Sequence, residues 1–307
     1  MVEQAYTPDE VAKILKISKN TVYELIKRGE LQAYRVSNKM RIDPQALERY
    51  KENMKTMGGE HQTSPVKSTH VLRLAGSHDF LLEHLVSFAG KAGAPFFIQP
   101  TYIGSLEGLM MLYRGAADLA AIHLLDPASG QYNLPFIERI FYHEHIIVLH
   151  LATRTQGLIV QPGNPKGIHS WEDLTRNHVR FVNRQKGSGT RFLLDYHLGK
   201  LHLSPEQIHG YDIEEWNHFA TAAHVARGTA DVTLGIGAAA DKLGLSFIPL
   251  TTESFDLVLR FTPENQVLLT AFQKFIGSQV FSESLKNVKG YDCSNLGEIV
   301  FKGGVQV

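Results

Sequence analysis

A loop rich in glycine and hydroxyl side chains carries the clearest chemical signal in this 307-residue sequence. Its members and two flanking arginines are Arg184, Gly187, Ser188, Gly189, Thr190 and Arg191. Glycines let a ligand approach the backbone, and the N–H groups at a helix start favour negative charge. The loop lacks the Gly-Lys-Ser/Thr ending of a nucleotide-binding P-loop. The spacing therefore predicts a site for a small anion.

Four more polar residues stand at or just beyond the carboxyl ends of predicted strands. Ser77 and His78 follow one strand, Ser105 opens the helix after the next, and His123 follows a third. In open α/β sheets, ligands bind beyond the carboxyl ends of the strands. We therefore expect these four residues to contact the same anion. Asp79 would repel it, so we expect that carboxylate to cap the following helix.

Near the N-terminus, a second set of polar residues is suited to DNA. Asn and Lys side chains at the start of a helix carry donors that match acceptors on base edges. Lysines and arginines of a following hairpin would meet phosphates or the minor groove. The predicted DNA-binding residues are Lys19, Asn20, Thr21, Tyr23, Lys27, Arg28, Arg35, Asn38, Lys39 and Arg41.

The elements that position this second set are short. Thr7, Pro8 and Glu10 predict a capped helix start, and apolar residues at helical spacing follow them. A second helix of the same kind begins after Ser18, which gives a helix-turn-helix. Residues 31–42 are expected to form a hairpin, and a third helix is expected to begin at residues 43–44. The pattern predicts a winged helix-turn-helix domain.

The rest of the chain alternates strands with helices. This alternation predicts an α/β body with a parallel sheet covered by helices on both faces. Residues 55–69 are polar, contain Gly and Pro and lack periodicity, so they are expected to be a linker. We therefore predict a DNA-binding domain at 1–54, the linker at 55–69, and a ligand-sensor domain at 70–307.

Composition sets limits on the class of protein. The formal net charge is zero, yet residues 1–55 hold eleven Lys and Arg against eight Asp and Glu. A basic head on an acidic body fits nucleic-acid contact by the head. The single cysteine, Cys293, excludes an internal disulfide and a Cys-based metal cluster. The sequence contains no apolar run long enough for a membrane helix and no secretory signal, so we expect a cytoplasmic protein.

Other candidate chemistries find little support in the sequence. Gly235 and Gly237 fit a dinucleotide-binding spacing, but the second strand with an acidic end is missing, so close packing is the preferred interpretation. The fifteen histidines lack the spacing of a metal site. We find no nucleophile, base and orienting group with supporting context. The sequence thus predicts neither an enzyme nor a protein with a metal or cofactor.

The head resembles the excisionase-type, MerR-related winged helix-turn-helix. The resemblance rests on residues 6–12, 18–23, 29–31, 35 and 41–42, and it spans about fifty residues. It implies binding to double-stranded DNA.

The body resembles the periplasmic-binding-protein-like domain that is often described as a molybdate-binding sensor. The resemblance rests on residues 75–79, 104–105, 123–127, 132–135, 156–158, 162–167, 181–185, 187–191, 210–211, 230–231, 234–236 and 255–258. It implies a two-lobed fold of type II. One lobe would comprise about 70–156 and 250–307, the other about 157–249, with hinges near Gly157 and Phe255.

These observations predict a ligand-responsive transcriptional regulator that senses a small oxyanion, with molybdate or tungstate as the first candidates. Its expected partners are double-stranded DNA, the anionic effector and a second copy of the chain in a homodimer; no membrane is expected. Two alternatives remain open. The same architecture could sense a small organic or molybdopterin-like anion, or the protein could be an architectural DNA-binding protein with no ligand.

Overall fold

The computed structural model describes residues 5–15, 19–27, 31, 33–36, 39–56 and 71–304. The chain divides into two compact units, Met1–Ser68 and Thr69–Val307. We call the first unit the head and the second the body.

The described part of the head contains three helices and a two-stranded hairpin. Its elements are α1 (Pro8–Leu15), α2 (Lys19–Lys27), β1 (Tyr34–Val36), β2 (Lys39–Arg41) and α3 (Pro44–Thr56). The predicted capping box at α1 is confirmed: the backbone N–H of Thr7 donates to Glu10 at 2.7 Å, and that of Glu10 donates to Thr7 Oγ1 at 3.3 Å. Strands β1 and β2 pair antiparallel, as expected for a wing.

A small apolar core holds the head together. Its buried members come from α1, α2, α3 and the segments around the hairpin, and they are Val11, Ala12, Val22, Leu25, Leu31, Ile42 and Leu47. The periodic apolar positions of the two short helices therefore face each other, as the helix-turn-helix pattern predicts. The described side chains leave Lys19 and Tyr23 of α2 exposed.

The body is an α/β unit built on one large mixed sheet. Its strands are β3 (Val71–Gly76), β4 (Phe97–Tyr102), β5 (Leu119–Ile122), β6 (Ile146–Val160), β7 (Phe181–Arg184), β8 (Glu214–Glu215), β9 (Val232–Ile236), β10 (Ser246–Arg260), β11 (Tyr291–Asp292) and β12 (Ile299–Gly303). The strand order is β4-β3-β5-β10-β6-β9-β7-β8, and β11 and β12 also pair with β6.

Helices follow most of the strands. They are α4 (Phe80–Lys91), α5 (Ser105–Tyr113), α6 (Leu134–Ile140), α7 (Gly189–Lys200), α8 (His218–Ala226), α9 (Gly237–Leu243), α10 (Gln266–Ile276) and α11 (Gln279–Ser284), with two short 3-10 helices at Glu172–Thr175 and Pro205–Gln207. Successive residues of β5 alternate between two separate cores, Leu119 and Ala121 in one and Ala120 and Ile122 in the other. Both faces of the sheet are therefore covered, as predicted.

The sheet is parallel only within its two halves. Strand β3 runs parallel to β4 and β5, and β7 runs parallel to β8 and β9. Between these groups, β6 and β10 run antiparallel to each other over 15 residues each. At ~3.3 Å per residue, each strand is long enough to cross from one half to the other. Alternation of elements does not reveal this crossing, so the expectation of a wholly parallel sheet was too simple.

The pairing of the crossing strands is interrupted twice, between Pro249 and Thr251 and between Phe255 and Asp256. Such bulges bend and twist a strand locally. They lie on either side of Glu253, which is the cross-strand partner of Arg154. The two-lobed α/β fold with a winged helix-turn-helix ahead of it is confirmed.

Candidate functional site

Loops from both halves of the sheet meet over one group of buried polar side chains. We call this group the cleft cluster: Ser77, Asp79, Ser105, His123, Arg154, Gln156, Arg184, Thr190, His218 and Glu253. None of these residues is more than 2% exposed. The two halves touch closely here, since a Cβ added at Gly189 would lie 2.2 Å from the carbonyl oxygen of His123. Only glycine at this position allows the α7 start to reach the end of β5.

Arg154 and Glu253 form an ion pair in the middle of the two crossing strands, between the two halves of the sheet. Arg154 of β6 donates through Nε to Glu253 Oε1 of β10 at 2.5 Å. Its Nη1 donates to Asp79, the residue before α4. The guanidinium also lies 4.2 Å from the centre of the Phe255 ring. Arg154 therefore joins both crossing strands to the first half of the sheet.

Glu253 accepts three hydrogen bonds, all from side chains of the cluster. Besides Arg154, the side chains of His123 at 2.9 Å and Gln156 at 3.0 Å bind it. Burial alone would raise the pKa of Glu253, but the Arg154 charge and these hydrogen bonds lower it to about 2. The carboxylate is therefore ionised and already compensated at neutral pH.

Asp79 accepts from the backbone N–H of Leu81 at 2.7 Å, which confirms its predicted role as the cap of α4. It also accepts from the Tyr291 hydroxyl at 2.9 Å, in addition to Arg154. The two carboxylates of the cluster are thus turned toward donors of the protein itself.

Arg184 differs from Arg154 because no carboxylate of the described residues lies within 4.0 Å of its nitrogens. It donates only to neutral acceptors, Gln185 Oε1 at 3.2 Å and the carbonyl oxygen of Trp216 at 3.1 Å. Its Nη1 is buried without a hydrogen-bond partner. Burial and the nearby Arg154 charge lower the pKa of Arg184 to about 9. The Glu253 and Asp79 charges oppose this effect, but neither carboxylate is close enough to form an ion pair with the Arg184 guanidinium.

Other polar atoms of the cluster are also unpartnered. Arg154 Nη2 and both ring nitrogens of His218 have no hydrogen-bond partner, and neither has Gln156 Oε1. Burial, together with the nearby Arg184 and Arg154 charges, lowers the pKa of His218 well below its usual value. Native proteins rarely leave such atoms unsatisfied, because each costs ~1–3 kcal/mol. A bound ligand could form hydrogen bonds with these donors and with the one acceptor.

The four predicted hydroxyl donors are in different states. The backbone N–H of His123 donates to Ser105 Oγ at 3.3 Å, and Gln156 Nε2 donates to Thr190 Oγ1 at 3.1 Å. Both hydroxyls thus act as acceptors there, which leaves their own protons available. Ser188 instead donates to the Gln185 carbonyl at 2.9 Å and caps α7. Ser77 Oγ lies 3.0 Å from His123 Nε2.

Two of the remaining predicted anion ligands, His78 and Gly187, lie around the cluster. His78 Nε2 lies 2.9 Å from Glu83, while its buried Nδ1 has no partner. The carbonyl of Gly187 accepts from the backbone N–H of Leu106 at 3.1 Å, a hydrogen bond between the two halves.

Arg191 is paired within its own half of the sheet. It donates to Asp195 at 3.2 Å and to Glu214 at 2.9 Å, and it stacks over the Tyr211 ring at 4.0 Å. Its charge is therefore balanced locally, in contrast to that of Arg184.

Four functional candidates escaped the sequence reasoning: Arg154, Gln156, Glu253 and His218. One signal was present, since Arg154 and Gln156 interrupt an otherwise mostly apolar strand of 15 residues. Glu253 completes a row in which Ser77 Oγ, His123 and a carboxylate follow one another at 3.0 and 2.9 Å. This order is that of a hydrolase triad. However, Arg154 already forms an ion pair with this carboxylate, and the Ser77 backbone N–H donates to the Ala121 carbonyl, so it is not free to stabilise an oxyanion.

The described part of the chain contains no group of three or more His, Cys, Asp or Glu residues arranged to hold a metal ion. No described helix is long and apolar enough to cross a membrane. At Gly235 a Cβ would lie 2.8 Å from Ile159 and 3.3 Å from His218, so close packing explains this glycine.

In the head, only three predicted DNA-binding side chains are described. Lys19 Nζ lies 2.7 Å from Asp9, an exposed pair that raises the pKa of the lysine through this hydrogen bond. Tyr23 is 41% exposed, and Arg41 donates to the carbonyl of Met40 at 3.0 Å. Exposed ion pairs contribute little, so Lys19 can exchange Asp9 for a phosphate at small cost.

The other predicted DNA contacts lie outside the described side chains: Asn20, Thr21, Lys27, Arg28, Arg35, Asn38 and Lys39. Most of the predicted linker lies outside the described residues as well. The individual residues that contact DNA and those that contact a ligand in the cleft both remain predictions.

Comparison with known proteins assigns both units. Residues 5–55 match a helix-turn-helix domain, and residues 87–277 match the PBP superfamily domain, where PBP stands for periplasmic binding protein. The chain belongs to the PBP superfamily. It is 37% identical over 313 residues to the uncharacterized protein YvgK of Bacillus subtilis (strain 168), covering 97% of this chain and 98% of that one.

Two further matches are to binding proteins. A thiosulfate-binding protein of Escherichia coli (strain K12) is 34% identical over 83 residues, which is 25% of this chain and 21% of that protein. A putative phosphate ABC transporter substrate-binding protein from Clostridium perfringens, solved with bound phosphate, aligns with a TM-score of 0.52 at 13% identity. That alignment covers 73% of this chain and 99% of the other, and it shows the fold alone. A helix-turn-helix joined to a PBP-like ligand-binding domain is the composition of a ligand-responsive DNA-binding regulator.

Proposed function

We propose that the cleft cluster binds a small oxyanion, molybdate or tungstate first, and that this binding changes how the head engages DNA. The observation that carries the proposal is Arg184. Arg184 is 1% exposed, no carboxylate among the residues described lies within 4.0 Å of its nitrogens, and its Nη1 has no hydrogen-bond partner. An anion would supply a direct ion-pair partner for this guanidinium, and arginine suits oxyanions because its donors form a planar fork.

The remaining donors favour an oxyanion with several oxygens. Arg154 Nη2, a ring nitrogen of His218 and the protons of Ser105 and Thr190 are all available. They come from different strands and helices of both halves, so one tetrahedral ligand would tie the halves together. Such a ligand would stabilise an arrangement in which the two halves are closed over it. The equilibrium between closed and open halves would shift by the difference between the binding free energies of the ligand for these two arrangements.

One acceptor among these donors keeps a second ligand class open. Gln156 Oε1 is buried without a partner, and its amide nitrogen must face Glu253, so the oxygen cannot simply be exchanged for a donor. This oxygen would suit a ligand with a proton to donate, such as hydrogen phosphate or a small organic or molybdopterin-like anion. A fully deprotonated dianion would leave it unsatisfied. The two ligand classes therefore differ in whether the ligand donates a hydrogen bond to Gln156 Oε1.

For the head we propose the excisionase-type, MerR-related mode of binding, with α2 in the major groove and the β1–β2 hairpin against the backbone or minor groove. A single small head makes few phosphate contacts, so we propose a homodimer on a symmetric operator. DNA binding would place the protein in the cytoplasm.

Thermal unfolding of the full chain tests the ligand. The chain is heated in phosphate-free buffer with molybdate, tungstate, sulfate, thiosulfate, hydrogen phosphate or no addition. Thiosulfate is included because of the name of the Escherichia coli relative. A ligand at 100 times its Kd stabilises the folded state by ~2.7 kcal/mol. A rise in Tm with one or more of these anions supports the proposal, and no rise with any of them contradicts it.

DNA binding then separates a regulator from an architectural protein. Duplexes selected from a random pool by the full chain are titrated with and without the stabilising anion. The proposal expects affinity or stoichiometry to change with the anion. Identical binding curves would favour the architectural alternative.

A further inference from the structure

Charge balance in the cleft cluster raises a question about any dianion that enters it. Counted in their usual charged forms, the two arginines of the cluster, Arg154 and Arg184, are matched by two carboxylates, Asp79 and Glu253. With its histidines neutral, its formal charge is therefore zero. A dianion would leave two uncompensated negative charges at a site that is shut off from water, which is strongly unfavourable.

His123 is the side chain best placed to offset this charge. It lies at the end of β5 and is 0% exposed. Polar and charged groups face it from every side. They are Ser77 after β3, Ser105 of α5, Glu253 of β10, Arg154 of β6, Arg184 of β7 and His218 of α8.

Without a ligand, these surroundings keep His123 neutral. Burial lowers its pKa, Glu253 opposes this effect, and the Arg154 and Arg184 charges lower the pKa further. Nδ1–H then donates to Glu253, so Nε2 accepts from the Ser77 hydroxyl. In this state the Ser77 proton points at the imidazole and is not offered to a ligand.

An anion beside the two arginines reverses this balance. It neutralises the positive charges that disfavour the imidazolium, while Glu253 stays 2.9 Å from Nδ1. Protonated His123 would donate through Nε2 to Ser77 Oγ, and the Ser77 proton would become free to turn to the ligand.

We propose that a dianion binds in the cleft together with one proton, that His123 takes up this proton, and that Ser77 thereby becomes a donor to the ligand. The proposal rests on the anion site proposed above and adds a specificity-determining residue to it. The site would prefer dianions, because the imidazolium compensates one of their charges. His218 is the weaker candidate for the proton, because the described part of the chain places no carboxylate within 4.0 Å of its ring to stabilise the cation.

The proposal fixes the sign of the pH dependence. Anion binding raises the pKa of His123 above its value in the free protein. Between those two values each complex gains one proton, so Kd rises about tenfold for each unit of increasing pH. Below both values the histidine is protonated with or without ligand, and the dependence disappears.

Calorimetric titration of the full chain with molybdate, tungstate, sulfate and thiosulfate is the test. Each titration is repeated in buffers of different ionisation enthalpy between about pH 6 and 8. The slope of measured heat against buffer ionisation enthalpy counts the protons exchanged. We expect an uptake close to one for the wild-type protein and close to zero for His123→Gln. The control His84→Gln alters a half-buried histidine of α4, bound to Ser284, and should keep the wild-type slope.

The outcomes separate the two proposals. Binding with zero proton uptake throughout the pH range overturns this inference and leaves the anion site intact. An uptake that persists in His123→Gln also overturns it and points to His218. If none of the four dianions binds, the proposed dianion site fails, and the proton uptake fails with it. Wild-type uptake alone decides the first outcome, so the test does not depend on the variant being folded.

Discussion

Replacing Arg184 with methionine should make the protein more stable and unable to bind its anion. Methionine fills much of the same volume without bringing a charge into the cleft. The pKa of Arg184 is lowered to about 9 from an ordinary 12.5, and each unit corresponds to ~1.4 kcal/mol. The buried charge therefore costs on the order of 5 kcal/mol in the absence of ligand.

Removing the buried charge raises the free energy of unfolding, but lost hydrogen bonds offset part of this increase in the variant. Gln185 Oε1 and the carbonyl of Trp216 lose their donor, at ~1–3 kcal/mol for a fully buried acceptor and less where water can replace it. The Trp216 contact is partly accessible to water. We therefore expect Arg184→Met to raise the free energy of unfolding by about 1–3 kcal/mol, in the range seen when buried charges are replaced by apolar residues.

Arg191→Met is the matched control. Arg191 is also buried, at 3% exposure, lies at the start of α7 and is paired with Asp195 and Glu214. Removing one member of such a pair destabilises, so this variant should lose ~1–3 kcal/mol, moderated by the exposure of both carboxylates. Its melting shift with anion should persist. Two arginines seven positions apart should thus change stability in opposite directions.

The assay is urea unfolding of the full chain followed by tryptophan fluorescence. Both tryptophans, Trp171 and Trp216, lie in the body, so the signal reports on that unit alone. Unfolding is measured with and without the anion that raises Tm. Two results would contradict the proposal that Arg184 pairs with the bound anion: a lower free energy of unfolding in Arg184→Met, or an anion-dependent rise in Tm that persists in this variant.

Further predictions concern the closing of the cleft, the hydroxyl donors and the head. Gly189→Ala should abolish the anion-dependent rise in Tm, because its Cβ would lie 2.2 Å from the His123 carbonyl; Gly199→Ala in the same helix meets nothing within 4 Å and should leave the rise unchanged. Thr190→Val should weaken anion binding roughly tenfold in calorimetry, at ~1.4 kcal/mol for one lost hydrogen bond; an unchanged Kd would remove it from the site. Lys19→Ala should weaken binding to DNA and reduce its salt dependence by about one phosphate contact while sparing the anion; an unaltered salt slope would contradict its assignment.

The fold could be read from the sequence because local patterns and global topology agree. Capping residues and apolar periodicity of the head sufficed for its helices, and the strand–helix alternation of the body sufficed for the α/β class. The crossing of β6 and β10 was not predictable in this way. Two strands of 15 residues that serve both halves of a sheet leave no local mark other than their length.

The candidate site was predictable only where it is local. Ser77, Ser105, His123 and the loop before α7 stand at strand ends, and strand ends can be placed from periodicity. Arg154 and Glu253 meet across a pairing of residues 99 positions apart, with bulges that no periodicity encodes. Nor does composition distinguish the unpaired Arg184 from the paired Arg191, since that difference depends on which carboxylates the fold brings near.

The most direct test of the account is a crystal structure of the full chain with tungstate, whose anomalous scattering locates the metal without ambiguity. We predict one strong peak within the cleft cluster, with tungstate oxygens within hydrogen-bonding distance of Arg184 Nη1 and Arg154 Nη2. A peak elsewhere on the body, in a protein whose Tm tungstate raises, would contradict the assignment of this cluster as the anion site.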